Sequence, residues 1–245
     1  MATHMLLRLE GPLMSFGTLA VDQHRPVQRW PATSMLTGLL ANALGWKRTD
    51  CDSLQRLQAR LRWAVRLDRP GVPLTDYQTA ELRKGERRGW TTRGVVEEGS
   101  FVGTHQIWRD YRADASVALA CGLDDSETAP TLQALAAAIQ HPQRPLFLGR
   151  KSCPPSSRLL LGMTDRPDAL QALKQIPRAA EAAAELVVFF NERAAPVPAN
   201  AQRHRVSDER LFSLDVHAGA QWMYETTDAG DASEAGNVLA QGASA

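Results

Sequence analysis

The chain has 245 residues, of which 44% are apolar, with a formal net charge of +1 and three cysteines. This length and apolar content suffice for one large buried core or two small ones, and the near-neutral charge means that any site for a polyanion must come from local clustering. Cys51, Cys121 and Cys153 are odd in number and widely spaced, which argues against a disulfide framework and for reduced thiols in a cytoplasmic protein, and no run has the length of a signal peptide or membrane span.

The apolar run Leu6-Leu7-Arg8-Leu9, stopped by Gly11-Pro12, predicts a first strand. Pro31 with Thr33 or Ser34 then marks a helix start, Met35, Leu36, Leu39, Leu40, Ala43 and Leu44 recur at helical spacing, and Gly45 suits the stop. Leu54, Leu57 and Leu61 suggest a second helical piece, followed by alternation over Trp63, Val65 and Leu67 as in a strand. Residues 69–103 break the pattern with many glycines, prolines and charges, and read as a long polar insertion. Strands are predicted at 106–111 and 115–121 with a short turn between them, then a helix over 131–139 and a buried strand at 145–149. Beyond these, a helix at 167–175, a strand at 186–190 and a strand region over 211–224 are expected, with an acidic tail over 225–245 expected to be disordered.

The order strand, helix, strand, insertion, strand, helix, strand is the βαββαβ plan of an α+β, ferredoxin-like (RRM-like) domain. The expected organisation is that domain over 1–150, an α/β extension richer in strand over 151–224, and the tail.

Charge is unevenly spread. Residues 23–48 carry Arg25, Arg29, Lys47 and Arg48 with no acid, and residues 141–158 carry Arg144, Arg150, Lys151 and Arg158 with no acid. The first strand, its Gly/Pro loop and the basic helix start are together able to hold a phosphate backbone with helix-terminal N–H groups and arginines. Gly149-Arg150-Lys151-Ser152 fails as a nucleotide-triphosphate loop, because that motif needs GxxxxGK[ST]; it remains either a phosphate-binding turn or a solvated basic turn. In the insertion, Arg83, Lys84, Arg87, Arg88 and Arg93 surround Trp90. Cations around an aromatic suit single-stranded nucleic acid, and a charged hairpin with a packed ring is the plain alternative; Trp30 carries the same ambiguity. The six histidines lack metal-ligand spacing, there is no GxSxG elbow, and neither metal nor cofactor is expected.

Several segments, in order and spacing, resemble the CasD family within the RAMP superfamily, the fifth-numbered Cas protein of the CRISPR type I-E Cascade surveillance complex. They are Leu7-Arg8-Leu9-Glu10-Gly11-Pro12 with Phe16-Gly17, Arg25-Pro26 through Ser34 with the Gly38–Gly45 helix, Asp76-Tyr77-Gln78-Thr79, Trp108-Arg109-Asp110-Tyr111 with Asp114-Ala115-Ser116, and Leu148 through Pro154. The resemblance implies a thumb hairpin at about 78–106. It also implies a non-catalytic RNA-binding role in antiviral defence: capping the 5′ handle of the CRISPR guide RNA (crRNA) and contacting the backbone filament subunit and the large subunit. Target DNA would be reached only through the complex. The implied phosphate contacts are Arg25, Arg29, Thr33, Ser34, Arg150, Lys151 and Ser152, with Thr104, His105, Gln106, Trp108, Arg109 and Arg112 beside the RNA at the thumb base. Trp30 and Trp90 are the candidate stacking rings. The alternative is a metal-independent endoribonuclease that processes repeat RNA through Tyr77, Lys84, His105 and Tyr111. A third reading is a protein-interaction module whose RNA contacts are incidental.

Overall fold

The structure is a computed structural model, and it describes residues 3–20, 22–81, 104–125, 127–217, 219 and 221–228. In chain order the elements are β1 (His4–Met14), β2 (His24–Arg25), α1 (Thr33–Ala43), α2 (Cys51–Arg60), β3 (Leu61–Arg69), β4 (Val72–Glu81) and β5 (Thr104–Leu123). They continue with α3 (Leu132–Gln140), β6 (Leu160–Thr164), α4 (Ala169–Leu173), β7 (Leu186–Asn191), β8 (Gln202–Val206), β9 (Arg210–Leu211), β10 (Val216–His217) and β11 (Gln221–Asp228). The architecture is mixed α and β, dominated by one antiparallel sheet.

Among the described residues that sheet has nine strands, with the path β6-β1-β5-β3-β7-β11-β8 and with β2 and β4 attached to β5. Every pairing is antiparallel except that of β2 with β5. Strands from residues 160–228 thus continue the sheet that β1, β3 and β5 begin. The two faces are read directly from alternation in β3. Trp63, Val65 and Leu67 enter a large core beneath α1, α2 and α3, whereas Ala64 enters a second core with α4. Each large apolar side chain buried there contributes about 1.5–3 kcal/mol. Also on the second face, buried Arg66 grips buried Asp68 at 2.6 Å, and Asp68 accepts the Ala179 N–H at 2.8 Å. This pairing satisfies charges that burial would otherwise penalise heavily, and it ties the 176–179 turn to the sheet.

The first strand does not stop at Gly11-Pro12 but runs on to Met14, and four further expectations need correction. First, residues 106–111 and 115–121 are one strand, β5, running through Asp114 at φ 54° where a turn was expected. Asp114 faces a matching irregularity at Leu67/Arg69 and Gly71, whose φ is +70°. A Cβ on Gly71 would lie 2.7 Å from the Ala113 carbonyl oxygen, so the link from β3 to β4 runs close against β5, and pairing lapses at Asp114 before resuming at Val72↔Ala113. Second, β4 occupies the first part of the supposed insertion. Its residues are exposed or half-exposed on both faces, so no apolar alternation announces it. Third, residues 145–149 are not a strand. The Leu148 N–H donates to the Cys153 carbonyl at 2.7 Å, closing a tight loop, and the Leu148 carbonyl accepts the Ser15 N–H at 3.0 Å. The strand that follows α3 is β6. Fourth, β11 carries regular structure through Asp228, into the acidic stretch expected to be disordered.

Gly149 closes the 148–153 loop with φ +98°, and a Cβ there would fall 1.8 Å from the Ser15 carbonyl oxygen. Backbone cannot yield as a side-chain end can. Gly149→Ala is expected to destabilise the fold by on the order of 3 kcal/mol, read as a lowered thermal midpoint.

Candidate nucleic-acid interface

The N-terminus of α1, expected from sequence to face a phosphate, is already occupied from within the chain. The residue preceding the helix, Ala32, has no side chain to cap it. Asp208 supplies the missing acceptor across the fold: its carboxylate takes the Thr33 N–H at 3.1 Å and the Thr33 hydroxyl at 3.3 Å, and its carbonyl takes the Ser34 N–H at 3.1 Å. A carboxylate at this end also complements the helix dipole. Burial raises the Asp208 carboxyl above its ordinary value, against the opposing hydrogen bonds. Thr33 is fully buried, and its hydroxyl oxygen accepts from Trp63 Nε1 at 3.0 Å and Gln221 Nε2 at 2.8 Å. Thr33 is therefore a structural residue and not a phosphate ligand. Its neighbour Ser34 is half-buried.

Trp30 and the exposed Arg29 both meet the ring of Phe189. The Trp30 ring packs 4.4 Å from Phe189, and the Arg29 guanidinium lies 5.1 Å from that ring while pairing with Glu225 at 3.2 Å. Trp30 is thus committed to packing on one side. Trp90, and with it the basic segment of the insertion, lies outside the described residues.

A different cluster does assemble. β4 and β5 pair without a slip from Val72↔Ala113 to Glu81↔Thr104, forming a two-stranded ribbon, and β2 lies along its other side with His24↔Trp108 and Arg25↔Arg109. Alternation divides the ribbon into two faces. Thr104, Gln106, Trp108, Asp110 and Arg112 share one with Thr75, Tyr77 and His24. His105, Ile107, Arg109 and Tyr111 share the other with Asp76 and Arg25.

On the first face the Tyr77 and Trp108 rings meet at 5.1 Å, and both are open to solvent, at 52% and 37% exposure. Asp110 anchors this face: Thr75 donates to it at 2.7 Å and His24 Nε2 lies 2.8 Å away. Burial pulls the Asp110 carboxyl up, but the hydrogen bonds from Thr75 and His24 outweigh it and hold its pKa below the ordinary aspartate value.

On the second face Arg25 and Arg109 stand side by side in register, with Asp76 as Arg109's cross-strand neighbour. Arg150 joins them from the 148–153 loop. It donates to the Asp110 carbonyl at 2.8 Å and the Arg25 carbonyl at 3.0 Å, and its guanidinium covers the Tyr111 ring at 4.8 Å. Lys151 and Ser152 follow, both exposed, with the Ser152 hydroxyl 3.5 Å from that of Tyr111. Arg25, Arg109, Arg150, Lys151 and Ser152 are therefore brought to one place, whereas Arg29, Trp30, Thr33 and Ser34 belong to the α1 wall. Sequence reasoning did not single out His24, Thr75 or Asp110 as one unit, because they come from three separate segments.

Among the described residues the acid–base set required by the nuclease alternative is not assembled. Tyr77 faces away from His105 and Tyr111 on the ribbon, Tyr111 is buried, and Lys84 lies outside the described residues. Burial pushes the Cys121 thiol up to about 12 and raises that of Cys153, so neither is a thiolate at neutral pH. Among the described residues no cluster of His, Cys, Asp and Glu is placed to hold a metal, and no helix is long and apolar enough to cross a membrane.

The family model for the CRISPR-associated protein Cas5 matches residues 4–234. The chain belongs to the Cas5 family. It is 35% identical over 176 residues to the CRISPR system Cascade subunit CasD of Escherichia coli strain K12, a match covering 71% of this chain and 76% of that one. A CRISPR RNA-guided surveillance complex contains a chain of similar structure, with TM-score 0.67 and 25% identity over 92% of this chain and 90% of that chain. A crystal structure of a Cas protein is similar at TM-score 0.60 and 27% identity, covering 91% and 94%. The Cas5 match includes β2, the ribbon and the 148–153 loop.

Two measurements test this geometry. Asp208→Ala leaves the Thr33 N–H without its acceptor and the Gln221 amide with one acceptor in place of two, and is expected to cost about 2–3 kcal/mol in denaturant unfolding. Asp110→Asn should cost about 1 kcal/mol at pH 7. Because the folded-state pKa of Asp110 is depressed, its contribution is present above the unfolded value near 3.9 and is lost as pH falls through the folded value. The difference in melting temperature between wild type and Asp110→Asn should therefore shrink as pH drops from about 6 to about 3.

Proposed function

We propose that this Cas5-family chain is a non-catalytic subunit of a Cascade-type CRISPR surveillance complex in the cytoplasm, holding the guide RNA at its 5′ handle. The observation that carries this reading is the gathering of Arg25, Arg109 and Arg150 where β2, β5 and the 148–153 loop meet. Like charges placed side by side on a sheet cost stability, and a phosphate backbone removes that cost. Arg150 is pinned by two carbonyls and a ring, so it sits at the surface with little freedom left to lose on binding. Lys151 and Ser152 extend the same line. The exposed Tyr77–Trp108 pair on the opposite ribbon face offers rings to unstacked bases.

In this reading the strand order β6-β1-β5-β3, with α1 and α3 crossing between its strands, is the ferredoxin-like unit. The β4–β5 ribbon is the base of the thumb inserted at about 78–106, and the strands after residue 150 are the extension that meets neighbouring subunits. Sequence recognition of a target is then left to base pairing, while the protein reads RNA shape and a few handle bases. The dispersal of Tyr77, His105 and Tyr111 supports holding over cutting.

In the assembled complex, Arg109→Ala and Lys151→Ala are each expected to weaken binding of handle-bearing guide RNA and to lower the log–log salt slope by about 1. Equal affinity for a scrambled handle would overturn the handle assignment. Repeat RNA that is cut in the presence of EDTA would overturn the non-catalytic one.

A further inference from the structure

Past β7, the sheet ends in β11 and the edge strand β8, which carry a second set of cations and rings. Pairing sets Arg205 against Trp222 and Arg203 against Tyr224, so alternation puts these four side chains on one face. It is the face on which Tyr224 stacks on Phe190 at 5.4 Å. α4 packs over that face on β1, β3 and β5, with β11 and β8 on the far side of β7 from it. Arg203 and Arg205 are exposed, and Trp222 and Tyr224 are half-buried. Glu225, the acid within this stretch of β11, points to the opposite face, where it pairs with His204 at 2.9 Å and Arg29 at 3.2 Å. Among the described residues neither Arg203 nor Arg205 forms an ion pair.

The Arg203 guanidinium lies 4.1 Å from the centroid of the Trp222 ring. A guanidinium laid flat on an indole has one face used and the other face and its N–H edge turned outward. Along β11 the two rings recur every second residue, a repeat of about 6.8 Å, and the two arginines recur alike on a strand about 4.8 Å away. Such a row offers stacking surfaces and phosphate-pairing cations in parallel. An acidic peptide would satisfy the cations and leave the rings unused. A single strand of nucleic acid uses both, because bases stack on rings and on guanidinium planes while phosphates take the charge.

We propose that the β11–β8 face, through Arg203, Arg205, Trp222 and Tyr224, is a second surface for single-stranded nucleic acid, separate from the Arg25–Arg109–Arg150 cluster. The probe is a fluorescein-labelled twenty-nucleotide oligouridylate, bound to the full chain and read by anisotropy across a potassium chloride series. The double variant R203A/R205A is expected to weaken binding by on the order of tenfold and to lower the salt slope by about 2. Trp222→Ala is expected to weaken binding at least about fivefold, with Trp222→Phe recovering much of it. Arg205→Glu, at an exposed side chain, guards against misfolding of the Trp222 variants, and its melting curve should match wild type. Unchanged affinity and slope in R203A/R205A and Arg205→Glu would overturn the proposal, as would a polyglutamate peptide displacing the RNA as effectively as unlabelled oligouridylate. Arg109→Ala and Lys151→Ala in the same assay keep the two sites apart. Loss only in those variants overturns this surface and leaves the handle site standing, and loss only in the β8 variants supports this surface while the handle site stands or falls by the handle-bearing RNA.

Discussion

The hydrogen-bond ladder of β5 is the constraint on which the rest of this molecule depends. Its C-terminal part lies between β1 and β3 in the buried sheet, and its N-terminal part lies between β4 and β2 in the exposed ribbon. One unbroken strand therefore transmits the rigidity of the core to the basic and aromatic side chains outside it. At Asp114 its partner changes from β3 to β4 across the Pro70–Gly71 link, while β5 itself runs on. Arg69 ties this junction, reaching Glu10 at 2.7 Å and Asp114 at 3.3 Å. A binding group on a paired strand is held more exactly than one on a free loop, which is what the proposed RNA-holding role needs.

A second constraint acts at α1. Asp208, far along the chain, caps the helix, and Gln221 of β11 and Trp63 of β3 complete a buried polar cluster around Thr33. A half-satisfied cluster of this kind costs more than an apolar one, so its completeness fixes the C-terminal strands against the first helix. The same closure takes the helix dipole out of use for an external anion. The proposed RNA site therefore lies at β2, the ribbon and the 148–153 loop, where cations stand in register without a shared acid to neutralise them all.

Much of this was legible in the residues. The helical spacing from Met35 to Leu44, the alternation through Trp63, Val65 and Leu67, and the apolar run at 186–190 each carry their period in the sequence, because a buried face has to repeat with the geometry of its element. The basic run around Arg150 was legible too. Illegible were β4, exposed on both sides and so without a pattern, and the continuity of β5 through Asp114, where an aspartate at positive φ looks like a turn. The supposed strand at 145–149 misled for the opposite reason: Leu148 is apolar and buried, but it is held by a tight loop and not by a ladder.

The sequence by itself determined most of the core element types, the family resemblance and the stock of cations and rings, because periodicity, turn chemistry and composition are local properties. Only the tertiary structure decided which of those cations stand together. Arg25, Arg109 and Arg150 converge because β2 and the 148–153 loop are brought against one strand, while Arg29 and Thr33, equally promising in sequence, are engaged by Glu225 and by Asp208. That sorting depends on hydrogen bonds between segments far apart in the chain, and no local pattern encodes which distant acid will reach a given helix end first.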